Sequence, residues 1–266
     1  MHEKDEIHFS LLTFAAKIKL KRLERKIRVA AVSYLNTKPL LYGIERSSIL
    51  QEMELIIDYP ARIAEMLIND EIHMGLVPVA IIPKLKEHYI NTDICIGSDG
   101  AVASVCLFSD VPLAHVKKVL LDYQSRTSVQ LAKILLKEYW NIQPEMENAS
   151  EDFRSQIQGS TAGLVIGDRA LEQRLSSPFI YDLGEAWKNH TGLPFVFAAW
   201  VSNKKLDQGF IDEFSKANHS GIQSLPELLN GLRYENFDLE DYYTENIDYL
   251  LDDEKRKGLD LFLSKI

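Results

Sequence analysis

Apolar runs of strand length alternate with amphipathic runs of helix length from Ile27 onward, and this alternation restricts the fold more than any other feature. Strand, helix, strand and helix are predicted in turn at residues 27–32, 38–46, 53–60 and 61–70, and residues 74–82 predict a strand and then a turn at Pro78. Helices of this length between strands are typical of parallel sheets with crossover connections. The sequence therefore predicts an α/β fold.

A second stretch of the chain repeats the strand and helix pattern. Residues 93–110 are rich in strand-forming residues, residues 115–122 predict a strand, and residues 129–140 predict a strong helix. Residues 163–171 predict a strand that runs into a helix, the stretches at 178–187 and 192–203 follow, and about the last 60 residues are predicted to be helical. Residues 235–254 hold nine acids and no base, a pattern that predicts a solvated helical face.

This order of elements predicts a two-lobed α/β fold with mixed sheets flanked by helices. The first lobe is predicted to take residues 27–105 and 199–266, and the second to take residues 106–198. A length of 266 residues suits one large domain or two lobes of ordinary size. A chain that crosses twice between lobes forms a hinged cleft, and ligands favour such interfaces.

Composition excludes several classes of function. The formal net charge of -9 argues against a nucleic-acid-binding surface, because such surfaces cluster Lys and Arg. Local donors still allow an anionic small ligand. No apolar run approaches the about 18 residues of a membrane span, so no stable membrane association is expected. The two cysteines, Cys95 and Cys106, lie in apolar stretches and are expected to be buried thiols.

Residues 1–26 form an N-terminal extension that differs from the rest, with seven basic and four acidic residues. Its acidic start, short apolar middle and basic end are in the wrong order for a secretory signal. A mobile or loosely docked extension, an upstream start codon and a basic amphipathic helix on a membrane surface stay open as interpretations. No function is assigned to this segment.

A cluster of polar side chains ends the first predicted strand, in the stretch AAVSYLNTKPLLYG. Ser33, Tyr34 and Asn36 follow an apolar run that reads as buried, and Pro39 then opens a helix. Sites in parallel sheets form outside the carboxyl ends of strands. The polar cluster is therefore expected on the rim of the cleft.

Four further places carry candidate site residues. Arg126, Thr127 and Ser128 lie between a strand and a helix, where Ser and Thr either cap the helix or help it to bind a carboxylate. Asp168 opens a helix after a strand, as an N-cap or as a pocket carboxylate. Ser104 ends a glycine-containing turn, GSDGAVAS, and His190 is interpreted as a loop histidine.

Several familiar catalytic and cofactor motifs are absent from the sequence. It contains no Walker loop, no GxGxxG, no GxSxG elbow and no metal ligands at CxxC or helical spacing. The expectation is therefore a site without metal or cofactor.

Six stretches taken together resemble the chorismate dehydratase family of the futalosine route to menaquinone. The resemblance covers residues 27–266 in the expected order and rests on VSYLNTKPL, GAVASVCLFS, SRTSVQLAKILL, IGDRAL, DLGEAWKNHTGLPFVFAAW and NIDYLLDDEKRKGLDLF. That family is similar in fold to type II periplasmic solute-binding proteins. The resemblance therefore implies the same two lobes that the strand and helix pattern predicts.

The resemblance also implies a reaction, a substrate and a set of site residues. Chorismate loses water to give 3-[(1-carboxyvinyl)oxy]benzoate, in the cytoplasm and without a cofactor. Asn36 matches an asparagine implicated in catalysis. Ser104, Thr127 and Ser128 match expected substrate contacts. Neighbouring residues complete the predicted substrate-binding set: Ser33, Tyr34, Arg126 and Asp168.

Three competing interpretations remain at this point. The enzyme of the same pathway that makes 1,4-dihydroxy-6-naphthoate carries a histidine where this chain has Gly167. A solute-binding protein of a transporter would need an export signal. A ligand-sensing regulator would need a DNA-binding helix pair, for which 26 leading residues are too few. The oligomeric state does not follow from the sequence.

Overall fold

The computed structural model describes residues 26–151 and 153–266, and it has two β-sheets flanked by helices. The extension predicted at residues 1–26 lies almost wholly outside the described residues. The strands are β1 Ile27–Val32, β2 Met53–Asp58, β3 Met74–Pro78, β4 Tyr89–Ser98, β5 Val105–Ser109, β6 Lys118–Leu121, β7 Glu145–Asn148, β8 Thr161–Ile166, β9 Phe179–Asp182, β10 Phe195–Ser202 and β11 Asp248–Leu250.

The first sheet has the strand order β11-β4-β10-β3-β1-β2. Strand β1 pairs in parallel with β2 and β3, as the alternating pattern predicts. Strand β10 returns from the second half of the chain and runs antiparallel to β3 and β4. The sheet is therefore mixed, and its central strands are apolar because both faces are covered.

The second sheet has the order β7-β6-β8-β5-β9. Strand β6 pairs in parallel with β7 and β8, whereas β5 runs antiparallel to β8 and β9. All five strands come from between residues 105 and 182, and the first sheet takes strands from both sides of that stretch. The predicted α/β class with two mixed sheets is thus confirmed, while the lobe boundaries at 105 and 199 stay predictions.

The α-helices pack on these sheets. They are α1 Lys38–Arg46, α2 Pro60–Ile68, α3 Thr127–Glu138, α4 Asp168–Gln173, α5 Leu183–Thr191, α6 Gln208–Gln223, α7 Leu225–Gly231, α8 Leu239–Asp241 and α9 Asp253–Leu263. None of the helices described here is long and apolar enough to cross a membrane. Both cysteines are buried and free, as expected.

Two predictions about local structure are wrong. Residues 235–254 do not form a solvated helical face, because they contain the short helix α8, a π-helix at Tyr242–Asn246 and strand β11. Apolar and aromatic side chains between the acids are buried and anchor this segment. His190 does not lie in a loop but in the last turn of α5, which ends at Gly192 in the left-handed conformation.

Candidate active site

Asn36 lies in a one-turn 3-10 helix, Leu35–Thr37, directly after β1. Its side chain lines a cavity of about 50 Å³ between the two sheets. From the first sheet and its loops the lining includes Val32, Tyr34, Thr37, Pro78, Ile96 and Phe197. From the second sheet and its loops it includes Val105, Ser125, Thr127, Ser128, Ile166 and Gly167. The polar end of β1 therefore faces the second lobe.

The Asn36 side chain has one free donor group. Its Oδ1 accepts a hydrogen bond from Thr37 Oγ1 at 3.1 Å. Its amide nitrogen has no hydrogen-bond partner among the described residues, and the side chain lines the cavity, so this nitrogen is available to a ligand oxygen. An amide does not titrate, so this group offers hydrogen bonds and not proton abstraction.

Hydrogen bonds join the Asn36 turn to the second lobe. The Tyr34 hydroxyl donates to Gln124 Oε1, and the Leu35 backbone N–H donates to Asp168 Oδ1 at 2.9 Å. The Tyr34 ring lies over Gly167, where an added Cβ would come within 2.8 Å of the ring carbons. Gly167 also has φ +66°, a conformation that favours glycine. The lobes are therefore in direct contact at this turn.

An ion pair lies behind this contact, between Asp122 at the end of β6 and Arg169 in α4. Arg169 Nη2 is 2.8 Å from Asp122 Oδ2 and 2.9 Å from Gln124 Oε1. Burial raises the pKa of Asp122, although the Arg169 guanidinium and two backbone N–H donors act in the opposite direction. The pair fixes Gln124, and through it the Tyr34 hydroxyl.

The start of α3 lines the small cavity through Ser125, Thr127 and Ser128. The Ser125 hydroxyl accepts from the Ser128 backbone N–H at 3.1 Å, and this bond caps the helix. Thr127 Oγ1 accepts from the Ala80 N–H of the first lobe at 3.2 Å. Arg126 is turned away from the small cavity, and its guanidinium pairs with Glu65 at 3.2 Å.

The remaining predicted site residues lie outside the small cavity. Ser33 is exposed, and Ser104 is fully buried with its hydroxyl accepting from the Tyr242 hydroxyl at 2.7 Å. The Asp168 carboxylate does not cap its helix but accepts a hydrogen bond from the Leu35 backbone N–H. Burial raises the pKa of Asp168. His190 Nε2 lies 3.6 Å from Glu138 Oε2.

A larger cavity of about 560 Å³ adjoins the small one, and Ser125 lines both. Its basic side chains are Lys84, Arg126 and Lys133. The larger cavity has the size of an ordinary ligand site, but Asn36 lies in the smaller one. We therefore place the candidate chemistry at the small cavity and regard the larger one as its neighbour.

Sequence reasoning missed several residues that shape the site. Gln124 and Arg169 support Tyr34, and the hydroxyls of Tyr243 and Tyr249 bond the Asn36 turn. The sequence did contain a signal for the ion pair of Asp122 and Arg169. Asp122 ends a predicted strand, just as the candidate residue Asp168 follows a predicted strand. No local signal existed for the tyrosines, since their partners are 208 and 213 residues away.

The fold is shared with solved structures of low sequence identity. A crystal structure of a protein from Archaeoglobus fulgidus matches with TM-score 0.69 and 15% identity, over 90% of this chain and 96% of that one. A Candida albicans gene product described as having the generic periplasmic binding protein fold matches with TM-score 0.53 and 14% identity, over 90% of each chain. The periplasmic-binding-protein-like fold is confirmed.

Curated relatives carry the name that the sequence motifs imply. A chorismate dehydratase of Thermus thermophilus is 27% identical over 253 residues, 86% of this chain and 91% of the relative. A chorismate dehydratase of Campylobacter jejuni is 26% identical over 191 residues, 70% and 72% of the two chains. These relatives confirm the family resemblance.

A family model described as menaquinone biosynthesis matches residues 27–266. That range contains both sheets, the Asn36 turn and the two cavities described above. The chain belongs to this menaquinone biosynthesis family.

Proposed function

We propose that this protein is a chorismate dehydratase, a carbon–oxygen lyase that acts in the futalosine pathway. The observation that carries the proposal is the Asn36 amide in the inter-lobe cavity of a chain that belongs to the menaquinone biosynthesis family. The similar chorismate dehydratases from two organisms support the same substrate. A biosynthetic step on a soluble dianion also supports a cytoplasmic location.

The proposed reaction removes the ring C3 proton and the C4 hydroxyl of chorismate as water. The C3–H bond breaks, its electron pair forms the new ring double bond, and the C4–O bond breaks with its electrons on oxygen. The product, 3-[(1-carboxyvinyl)oxy]benzoate, has an aromatic ring, so much of the driving force is intrinsic to the substrate. The enzyme must orient a dianion, assist the leaving hydroxyl and exclude water.

Each lining residue has a proposed part in this reaction. The Asn36 amide N–H₂ donates to the C4 hydroxyl as it leaves, or to the enolpyruvyl group. The substrate's own enolpyruvyl carboxylate is the proposed acceptor of the C3 proton, and among the side chains that line the small cavity only the phenol of Tyr34 titrates. Burial raises the Tyr34 pKa, which keeps that phenol protonated. Thr127 and Ser128, at the helix start, bind a substrate carboxylate.

A cavity of about 50 Å³ is far below the roughly 300 Å³ at which small-molecule sites begin. The lobes must therefore separate for a ring with two carboxylates to enter. Ser33, Ser104, Arg126 and Asp168 lie outside the small cavity, so we propose that they meet the substrate only when the lobes are apart.

The test is to mix purified protein with chorismate and follow the ultraviolet spectrum. Catalytic loss of chorismate with formation of the aromatic product supports the dehydratase. Asn36→Ala and Asn36→Asp are expected to lower turnover by about 10² or more, because loss of one preorganised donor costs that much. Near-normal dehydration by folded Asn36→Ala would remove Asn36 from the mechanism.

Two other outcomes would overturn the proposal. Stoichiometric binding of chorismate without turnover would indicate a solute-binding protein. Absence of any reaction with chorismate would favour the alternative function, formation of 1,4-dihydroxy-6-naphthoate in the same pathway. Against that alternative, the Tyr34 ring occupies the space in which a side chain at residue 167 would lie.

A further inference from the structure

Two buried tyrosines of the C-terminal part contact the turn that carries Asn36. The Tyr243 hydroxyl donates to the Leu35 carbonyl oxygen at 3.0 Å. The Tyr249 hydroxyl donates to the Asn36 carbonyl oxygen at 2.8 Å. Only 3% of Tyr243 and 6% of Tyr249 is exposed to solvent, so both bonds are shielded from water.

The two acceptors lie on either side of the Asn36 Cα. The Leu35 carbonyl belongs to the planar peptide unit before that atom, and the Asn36 carbonyl belongs to the unit after it. Holding both planes fixes the two backbone torsions of Asn36. Those torsions set the direction of the Cα–Cβ bond, and therefore the point at which the amide enters the cavity.

The segment that supplies the two tyrosines has an unusual backbone. Tyr242–Asn246 forms a π-helix, closed by the Ile247 N–H bonding the Tyr242 carbonyl at 3.0 Å. Single π-turns occur often at functional sites. The adjacent phenols of Tyr242 and Tyr243 reach different loops, since Tyr242 donates to Ser104 Oγ at 2.7 Å. Strand β11 then places Tyr249 within reach of the Asn36 carbonyl.

Burial also keeps these phenols in the donor form. The pKa of Tyr243 and of Tyr249 is raised above its ordinary value, chiefly because burial disfavours the phenolate. A carbonyl oxygen can only accept, so the phenols must remain protonated to make these bonds.

We propose that Tyr243 and Tyr249 are positioning residues that orient the Asn36 amide for the reaction. The proposal rests on the proposed role of Asn36 in dehydration. Neither phenol lines the small cavity. The two tyrosines therefore act on the reaction through Asn36, by restricting its backbone.

The test uses Tyr243→Phe and Tyr249→Phe, which keep the rings and remove only the hydroxyls. Each is expected to lower kcat about 10- to 100-fold with little change in KM, because small misplacements of a reacting group cost rates of this order. Tyr181→Phe is the matched control. Its hydroxyl accepts from the Leu113 backbone N–H at 2.8 Å, away from the cavity, and its loss should leave kcat unchanged.

Repeating the substitutions in an Asn36→Ala background separates positioning from a general structural effect. If the tyrosines act through Asn36, then Tyr243→Phe and Tyr249→Phe should lower the residual kcat of that background less than twofold. The same fold-loss of kcat in both backgrounds would overturn the proposal. Unchanged kcat in the single variants, or an equal loss of kcat in Tyr181→Phe, would also overturn it.

Amide hydrogen exchange of residues 35–37 keeps the inference testable if the protein does not act on chorismate. Faster exchange in the Tyr243→Phe and Tyr249→Phe variants than in Tyr181→Phe supports the positioning contact, even though the proposed function would then have failed. Equal exchange in all three variants would overturn the contact itself.

Discussion

At the scale of single residues, the buried ion pair between Asp122 and Arg169 behind the Asn36 turn places strict limits on substitution. Asp122 is 2% exposed, and its carboxylate contacts the guanidinium of Arg169 and the backbone N–H groups of Gln124 and Ile166. Removing the cation would leave a buried anion without its counterion. The pair therefore constrains which substitutions the region tolerates, whatever its net contribution to stability.

Replacing Arg169 with methionine is expected to destabilise the fold by about 3–5 kcal/mol, because it leaves the Asp122 carboxylate buried without a counterion. Urea unfolding of the two proteins measures the difference in the free energy of unfolding. The matched control is Arg154→Met, which removes a more exposed pair with Glu172 at 2.8 Å. That change should cost about 1 kcal/mol or less. Equal losses in the free energy of unfolding for Arg169→Met and Arg154→Met would contradict the assignment of Arg169 as the counterion of a buried carboxylate.

At the scale of elements, the packing of α1 against α6 positions the helix that follows the Asn36 turn. The helices meet at Gly43 and Gly221. A Cβ added to Gly43 would lie 1.9 Å from the Ala217 carbonyl oxygen, and one added to Gly221 would lie 2.0 Å from that of Pro39. Backbone cannot move aside as a flexible side chain can, so the two glycines permit the close approach.

Gly43→Ala is therefore expected to destabilise the protein by about 1–3 kcal/mol or more, since overpacking forces backbone shifts. Thermal or urea unfolding measures the effect. Gly231→Ala is the control, because no heavy atom lies within 4 Å of a Cβ added at that glycine near the end of α7. The control should be neutral or slightly stabilising. A neutral Gly43→Ala would show that α1 and α6 separate easily.

At the scale of the whole molecule, a few inter-lobe bonds keep the small cavity closed. Tyr34 bonds Gln124, Leu35 bonds Asp168, and Ala80 bonds Thr127, all across the cleft. Closure of this kind excludes water during the reaction but must be reversed to admit substrate. The strength of these bonds should therefore influence the balance between open and closed lobes.

The double variant Tyr34→Phe/Asp168→Ala removes two of these bonds and should shift the lobes apart in the absence of ligand. Small-angle X-ray scattering should then give a larger radius of gyration than that of the unaltered protein. Tyr42→Phe/Glu227→Ala, which removes a tyrosine–carboxylate contact at 3.4 Å within the first lobe, should leave the radius unchanged. An unchanged radius in both would mean that other contacts determine closure.

Much of the architecture could be predicted from the sequence because it depends on neighbouring residues. Strand β1 and helix α1 lie where the apolar periods place them, and α3 begins at the Thr and Ser that favour helix starts. The apolar run before Ser33 likewise indicated a strand that ends at the cleft. The acidic segment differs from its prediction because charge counts say nothing about the buried aromatic residues between the acids.

The sequence by itself determined the α/β class, the order of most elements and a polar strand end at the cleft, and the family resemblance added Asn36 as the candidate for chemistry. Only the tertiary structure decided what holds that residue. Tyr243 and Tyr249 bond the Asn36 turn from 208 and 213 residues away along the chain. Arg169 reaches Asp122 and Gln124 from another strand end. Periodicity reports local backbone geometry, whereas these contacts arise only when distant segments meet, and no period in the sequence encodes that meeting.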